Sequence, residues 1–310
     1  MKILLRLLVI PLMATSAMAQ GPLNPAAPPA PTMKTLGEIE GRTPVSTLPF
    51  NITASGSYYL TKNLQFTATT GNAVNISASN VTLDLSGFSL SSVDGVSGSA
   101  IAITGGRTGI RIRNGSIKGN SSLLISGLFP GKSWSFTAKG FYNGISGPDC
   151  SACDFSDLMV TDCQADGLDL GGSNLVRRVN ARGNGGYGID TNADGNRVTG
   201  CTSSRNANSG IYCVAGVITG CVVTENGNNG MTSSSSHVSG CSSRLNFSHG
   251  FNTVSAVIQN CTAESNGGSG FIADFSNISL SCARNNNQRA GSFVDLSGAS
   301  AVRYGNLPTP

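Results

Sequence analysis

Apolar and polar positions alternate along most of this chain over stretches of only three to five residues, and the same stretch returns about every twenty residues. Ile218-Thr219-Gly220-Cys221 and Val238-Ser239-Gly240-Cys241 each suit a strand of a few residues between Asn, Gly and Ser turns. A glycine followed by a large apolar residue keeps the beat at Gly167-Leu168, Gly188-Ile189, Gly210-Ile211, Gly230-Met231, Gly250-Phe251 and Gly270-Phe271. Nearer the N-terminus, Val81, Leu83 and Leu85 alternate with Thr82 and Asp84. Between 158 and 302 no segment has the three-four apolar spacing of an amphipathic helix.

Two polar columns share the period. Cysteines fall at 201, 221, 241, 261 and 282, with gaps of 20, 20, 20 and 21 residues. Asn206, Asn226, Asn246 and Asn266 follow the first four by five residues, Asn286 follows the fifth by four, and Asn184 extends the column upstream. A period of about 20 residues marks a solenoid, and the leucine pattern of leucine-rich repeats is absent. Coils stacked at the strand spacing of roughly 4.8 Å bury together what no single coil can bury alone. The expected fold is all-β: a parallel β-helix with coils of about 20–22 residues, right-handed by the crossover rule. The asparagines are expected at turns, where Asn tolerates left-handed backbone angles.

The chain divides accordingly. Residues 1–19 read as a secretory signal peptide, with Lys2 and Arg6 before an apolar run and Ala17-Met18-Ala19 as the cleavage site. Residues 20–44 are a Pro/Ala-rich linker and N-terminal cap, with a short capping helix over 32–41. Residues 45–304 form the β-helix, 118–148 an inserted loop, and 305–310 a tail. The net charge of +4 falls to +2 without Lys2 and Arg6, which gives no reason to expect a nucleic-acid partner. The basic runs Arg107/Arg111/Arg113 and Arg177-Arg178-Arg182 read as a solvated face. No apolar run is long enough to span a membrane. The chain is therefore expected to be exported: periplasmic, secreted or at the cell surface.

Stacked cysteines on parallel strands lack disulfide geometry, so the column reads as a ladder of buried thiols, with Cys213 inward as well. Cys150 and Cys153, in a Gly-Pro-Asp-Cys-Ser-Ala-Cys segment, are either a tight disulfide or two free thiols. With only His237 and His249 in the chain, zinc lacks a ligand set. No cofactor is expected, and calcium is not indicated.

The segments MKTLGEIEGRTPV, ASGSYYLTKNL, NVTLDLSGFSL and GIRIRNGSIKG, with the later N-x3-G-[ILFM] coils, resemble exported bacterial right-handed parallel β-helix repeat proteins of the pectin-lyase-like fold. The resemblance covers about 32–300 and implies the fold more than a reaction. Tyr187-Gly188-Ile189-Asp190 resembles the start of the YG[FI]DPH motif of mannuronan C5-epimerases, but Thr191-Asn192 replaces its last two residues. Ser248-His249-Gly250 is similar to the GHG of polygalacturonases, whose NTD and Asp-Asp elements are absent; His249 reads as an exposed turn residue.

β-Helix enzymes of this kind bind polysaccharide along an outer face. Asp169 and Asp190 align by column, so if Leu168 and Ile189 point inward the two carboxylates stack outward on adjacent coils. Like charges that close raise one pKa, which suits acid/base chemistry. Asp166 and Asp194 lie nearby in sequence, and Trp134 and Tyr142 of the inserted loop are candidate sugar-stacking residues. The plainer alternative is two exposed aspartates in one column, neutralised by Arg177, Arg178 or Arg197. The expected partner is a polysaccharide, bound and processed by a lyase, hydrolase or epimerase reaction if the protein is an enzyme. A non-catalytic extracellular scaffold or adhesin is the other reading.

Overall fold

The computed structural model describes residues 41–126, 133–137 and 139–286, with three further strands at Leu296–Ser297, Val302–Tyr304 and Leu307–Pro308. The proposed signal peptide, most of the linker and the capping helix lie outside the described residues. The chain from Arg42 onward is one compact unit. It is a parallel β-solenoid of about 11 turns, with no helix among the described residues.

Each coil contributes one strand to an eleven-stranded front sheet and, to a twenty-stranded rear sheet, either two short strands or one long one such as Leu175–Arg182. One coil runs Ile211–Val214 on the front, then Val217–Thr219 and Val222–Thr224 on the rear. All these strands pair in parallel with the coils before and after, so Leu168, Ile189, Ile211, Met231, Phe251 and Phe271 stack in register inside the front sheet. The rings of Phe251 and Phe271 stack at 4.8 Å with planes 7° apart. The preceding glycines are required by close approach: a Cβ on Gly230 would collide with Ser243 Oγ and the Gly250 carbonyl.

Three corners join the strands, each made by one residue with positive φ. The first corner includes Ala152, Ser173, Gly195, Ala215, Ser235, Ser255 and Phe275. The second includes Asn114, Asp157, Arg178, Gly200, Gly220, Gly240, Asn260 and Leu280. The third includes Asp162, Gly183, Arg205, Glu225, Leu245, Ser265 and Asn285. The residue after each corner turns inward, and at most of them a side-chain acceptor meets the backbone N–H of its counterpart one coil earlier. Asn206 N–H donates to Asn226 Oδ1 at 3.1 Å, Cys201 N–H to Cys221 Sγ at 3.4 Å, and Ala256 N–H to Ser276 Oγ at 3.0 Å. A buried N–H left without a partner costs about 1–3 kcal/mol, so these positions favour small acceptors.

This geometry corrects the reading of the asparagines. They are fully buried and sit one residue past the left-handed position, not on it. Their amides form a ladder from Asn184 to Asn286, with Nδ2–Oδ1 distances of 2.8–3.0 Å. Cys282 is a second correction. The 21-residue gap moves it one position out of the column, Ser281 takes the inward place and accepts from Cys261 N–H at 3.2 Å, and Cys282 is only half-buried. Cys201, Cys213, Cys221, Cys241 and Cys261 are buried free thiols, as are Cys150 and Cys153, and Cys153 Sγ donates to the Ser151 carbonyl at 3.2 Å.

The insertion is narrower than 118–148. Ser122–Ser126 and Ser133–Thr137 form an antiparallel hairpin, and by Phe141 the chain has rejoined the coil. Phe141 is fully buried and its ring lies 6.0 Å from that of Phe66. At the far end, Leu307–Pro308 within the proposed tail pairs with Cys282–Ala283; at the near end, strand pairing already includes Thr43.

Replacing Asn226 with Ala removes the acceptor of both the Asn206 N–H and its Nδ2. The expected cost is about 2–4 kcal/mol, read as a lower urea midpoint with an unchanged slope. Asn228→Ala, which removes an exposed amide pair with Asn208, should change stability by less than about 0.5 kcal/mol.

Candidate functional site

On the front sheet, the residue after each inward apolar residue faces outward. Register pairing makes this column Ser146, Asp169, Asp190, Tyr212, Thr232 and Asn252 on successive coils. Three residues earlier on each coil lies a second column: Asn143, Asp166, Tyr187, Ser209, Asn229 and His249. The two columns bond to each other, through Asn143 Nδ2 to Asp169 Oδ2 at 3.4 Å and Asn229 Nδ2 to Thr232 Oγ1 at 3.1 Å. Together they form a polar face whose central coils carry three carboxylates and two phenols.

Asp169 and Asp190 are direct register partners. Asp190 is 9% exposed, and its Oδ1 has no hydrogen-bond partner. Burial first, then the neighbouring Asp166 and Asp169, push its pKa up to about 7. Asp166 is raised to about 6 by burial, with a contribution from Asp169, although its Oδ1 accepts the Tyr187 N–H at 2.6 Å. Burial also raises Asp169, while the Ser146 hydroxyl opposes the shift. Burial raises the Tyr187 phenol as well, so it stays protonated through neutral pH. Its ring lies 5.4 Å from that of Tyr212.

The arginines named as neutralising partners do not act here. Arg177 pairs with Asp154 at 2.7 Å, Arg178 with Asp157 at 2.6 Å, and Arg197 belongs to the rear sheet. None contributes to the shift of Asp190. A face with two carboxyls raised to about 6 and about 7 and an adjacent phenol can accept a proton at one position and donate one at another.

The other sequence candidates are dispersed. Asp194 is exposed on the turn beyond the strand and stands apart from the three carboxylates. Tyr142 is 52% exposed at the edge of the face, one residue before Asn143. Trp134 pairs by backbone with Ile125 in the hairpin, and its side chain lies outside the described residues. Phe136 of the same hairpin fills the space beside Gly185, two residues before Tyr187. His249 is half-buried, not exposed: its Nδ1 accepts the Ser269 N–H at 2.9 Å, and burial lowers its pKa. Sequence spacing does not single out Tyr187 and Tyr212 as site residues, although Tyr212 follows Ile211 just as Asp190 follows Ile189. Among the described residues no group of three or more His, Cys, Asp or Glu side chains is placed to hold a metal ion, and no helix is long and apolar enough to cross a membrane.

No family model and no curated protein sequence matches this chain. Solved structures do. The A-module of Azotobacter vinelandii mannuronan C-5 epimerase AlgE4 superposes with a TM-score of 0.62 at 14% identity, covering 82% of this chain and 80% of that one. The periplasmic alginate epimerase AlgG gives 0.53 at 13% identity over 82% and 77%. Tailspike protein 2 of the Escherichia coli O157:H7 bacteriophage CAB120 gives 0.55 at 13% identity, covering 82% of this chain and 38% of that one. At such identities the likeness defines the fold. The chain is a parallel β-helix protein.

The raised carboxyls have a consequence for stability. A carboxyl with a folded pKa above its unfolded value binds its proton more tightly when folded, so its contribution is full below about pH 4 and lost as pH rises through the folded pKa. With Asp190 at about 7 and Asp166 at about 6, the melting temperature should fall between about pH 4 and pH 7. In Asp190→Asn that fall should be shallower, as thermal melts in a pH series will show.

Proposed function

We propose that the front face binds an extended polysaccharide across several coils, and that Asp190, with Asp169, Asp166 and Tyr187, transfers protons on it. The observation that carries this reading is the pair of register-matched aspartates, one of them buried with an orphan oxygen and a pKa of about 7. A carboxyl poised there serves as acid or base at neutral pH, and the protonated form bonds a sugar carboxylate without repulsion. Tyr187 and Tyr212 offer ring faces for sugar packing, with Tyr142 at the edge.

The epimerases among the fold neighbours favour a polysaccharide ligand and an exported location. They also favour proton abstraction from a sugar ring, as in epimerisation or lyase elimination, over hydrolysis. The motif match stops at Asp190: the positions after it hold Thr191 and Asn192, so any proton donor or acceptor here must come from Tyr187, Asp166 or Asp169. A scaffold or adhesin reading draws on the later coils, whose outward rear positions include many Ser and Thr, among them Thr202, Ser204, Thr219 and Thr224.

A glycan-array assay on the chain, run beside Asp169→Asn/Asp190→Asn, tests the proposal. Binding to a polysaccharide that falls at least about tenfold in the equally folded variant supports it. Absence of binding to every glycan supports the scaffold reading. For a bound polyuronate, incubation in D2O followed by proton NMR should show loss of the ring-proton signal at the reacting carbon, and none in the variant.

A further inference from the structure

We infer a second binding site, on the first strand of the rear sheet, for an anionic sugar unit bearing a carboxylate or sulfate. A cavity of about 650 Å³ opens there, within the roughly 300–1,000 Å³ usual for small-molecule sites. Its floor is a register column on four successive coils: Arg111, Asp154, Leu175 and Arg197. Three strand steps separate the two arginines, roughly 14 Å along the stack. Asn80 and Ser173, both at positive φ on the first corner, line the rim.

Charge on this surface is unevenly compensated. Arg113, Arg177 and Arg178 each pair with an aspartate, Asp84, Asp154 and Asp157 in turn. Arg111 and Arg197 are exposed and make no ion pair with any described carboxylate. A second cavity of about 360 Å³ adjoins the first and shares Arg111 and Asp154. The site is therefore elongated and carries two free guanidinium groups, which suit the paired oxygens of a carboxylate or sulfate.

The uncharged lining suits a hydroxylated ligand and not a bare anion. Asp154 Oδ2 accepts from Arg177 at 2.7 Å, and the side chains of Asn80, Thr82 and Ser173 offer groups that can bond sugar hydroxyls. Half-buried Leu175, between Asp154 and Arg197, presents an apolar surface to the C–H face of a ring. This site is independent of the front face: it uses none of the same residues, and its charge is of opposite sign.

The test is calorimetric titration of the full chain in the Asp169→Asn/Asp190→Asn background, so that loss of the front face cannot be mistaken for loss of this one. The probes are an oligogalacturonate, a sulfated oligosaccharide of similar length, the matching neutral oligogalactose and inorganic sulfate. Binding of an acidic oligosaccharide, weakened at least about tenfold by adding Arg111→Ala/Arg197→Ala, is the expected result. Which acidic probe binds more tightly distinguishes carboxylate from sulfate. The inference is overturned if neither acidic probe binds, if the neutral sugar or inorganic sulfate binds as tightly, or if the arginine variant binds unchanged. Both arginines are exposed, so the variant should keep the melting temperature of its parent.

Discussion

The hydrogen bond that reaches from each inward corner residue back to the preceding coil is what the structure depends on. At a corner the positive-φ residue still bonds the next coil by backbone, as Glu225 N–H does to the Arg244 carbonyl at 3.1 Å, but the N–H of the residue after it faces the interior. Asn184, Asn206, Asn226, Asn246, Asn266 and Asn286 close that gap at the third corner, and Cys221 and Cys241 do so at the second. With the bond in place, even Arg205, Glu225 and Leu245 are held in a left-handed conformation that they rarely adopt. The corners then repeat with one phase, and phase is what aligns outward side chains into columns.

From that alignment the chemistry follows. Two aspartates twenty-one residues apart become neighbours on the front sheet, with Asp166 beside them and no arginine nearby to neutralise them. On the rear sheet the same stacking places arginines above aspartates, and three of these pairs are formed. One fold thus carries an acidic, proton-retaining face and a basic one, and the difference lies in which residue type each column happens to hold.

Much of this was legible in the sequence because a repeat states the same role many times. The inward Leu168-to-Phe271 column and the Asp169–Asp190 pairing could be read from spacing alone. Asn commonly takes turn positions, which makes its column look like one; the left-handed positions just before it hold Gly183, Arg205, Glu225, Leu245, Ser265 and Asn285, a mixture with no shared residue type to read. The displacement of Cys282 was signalled by its 21-residue gap, and a one-residue shift exchanges inside for outside. Arg111 and Arg197 could not be aligned, because the hairpin inserted between Lys118 and Phe141 breaks the count. Asp166 and Tyr187 join the site across a bend, through a backbone hydrogen bond that no spacing rule describes.

Coil stacking buries Asp190 beside Asp166 and Asp169 and so makes it hold its proton near neutrality. Carbon-13 NMR titration of the aspartate carboxyl carbons, with Asp190 assigned by its loss in Asp190→Asn, measures this directly. The expected result is a carboxyl that titrates at about 7, moving downward when Asp169 is changed to Asn. An Asp190 that titrates in the ordinary carboxylate range of about 4, unchanged by Asp169→Asn, would contradict it.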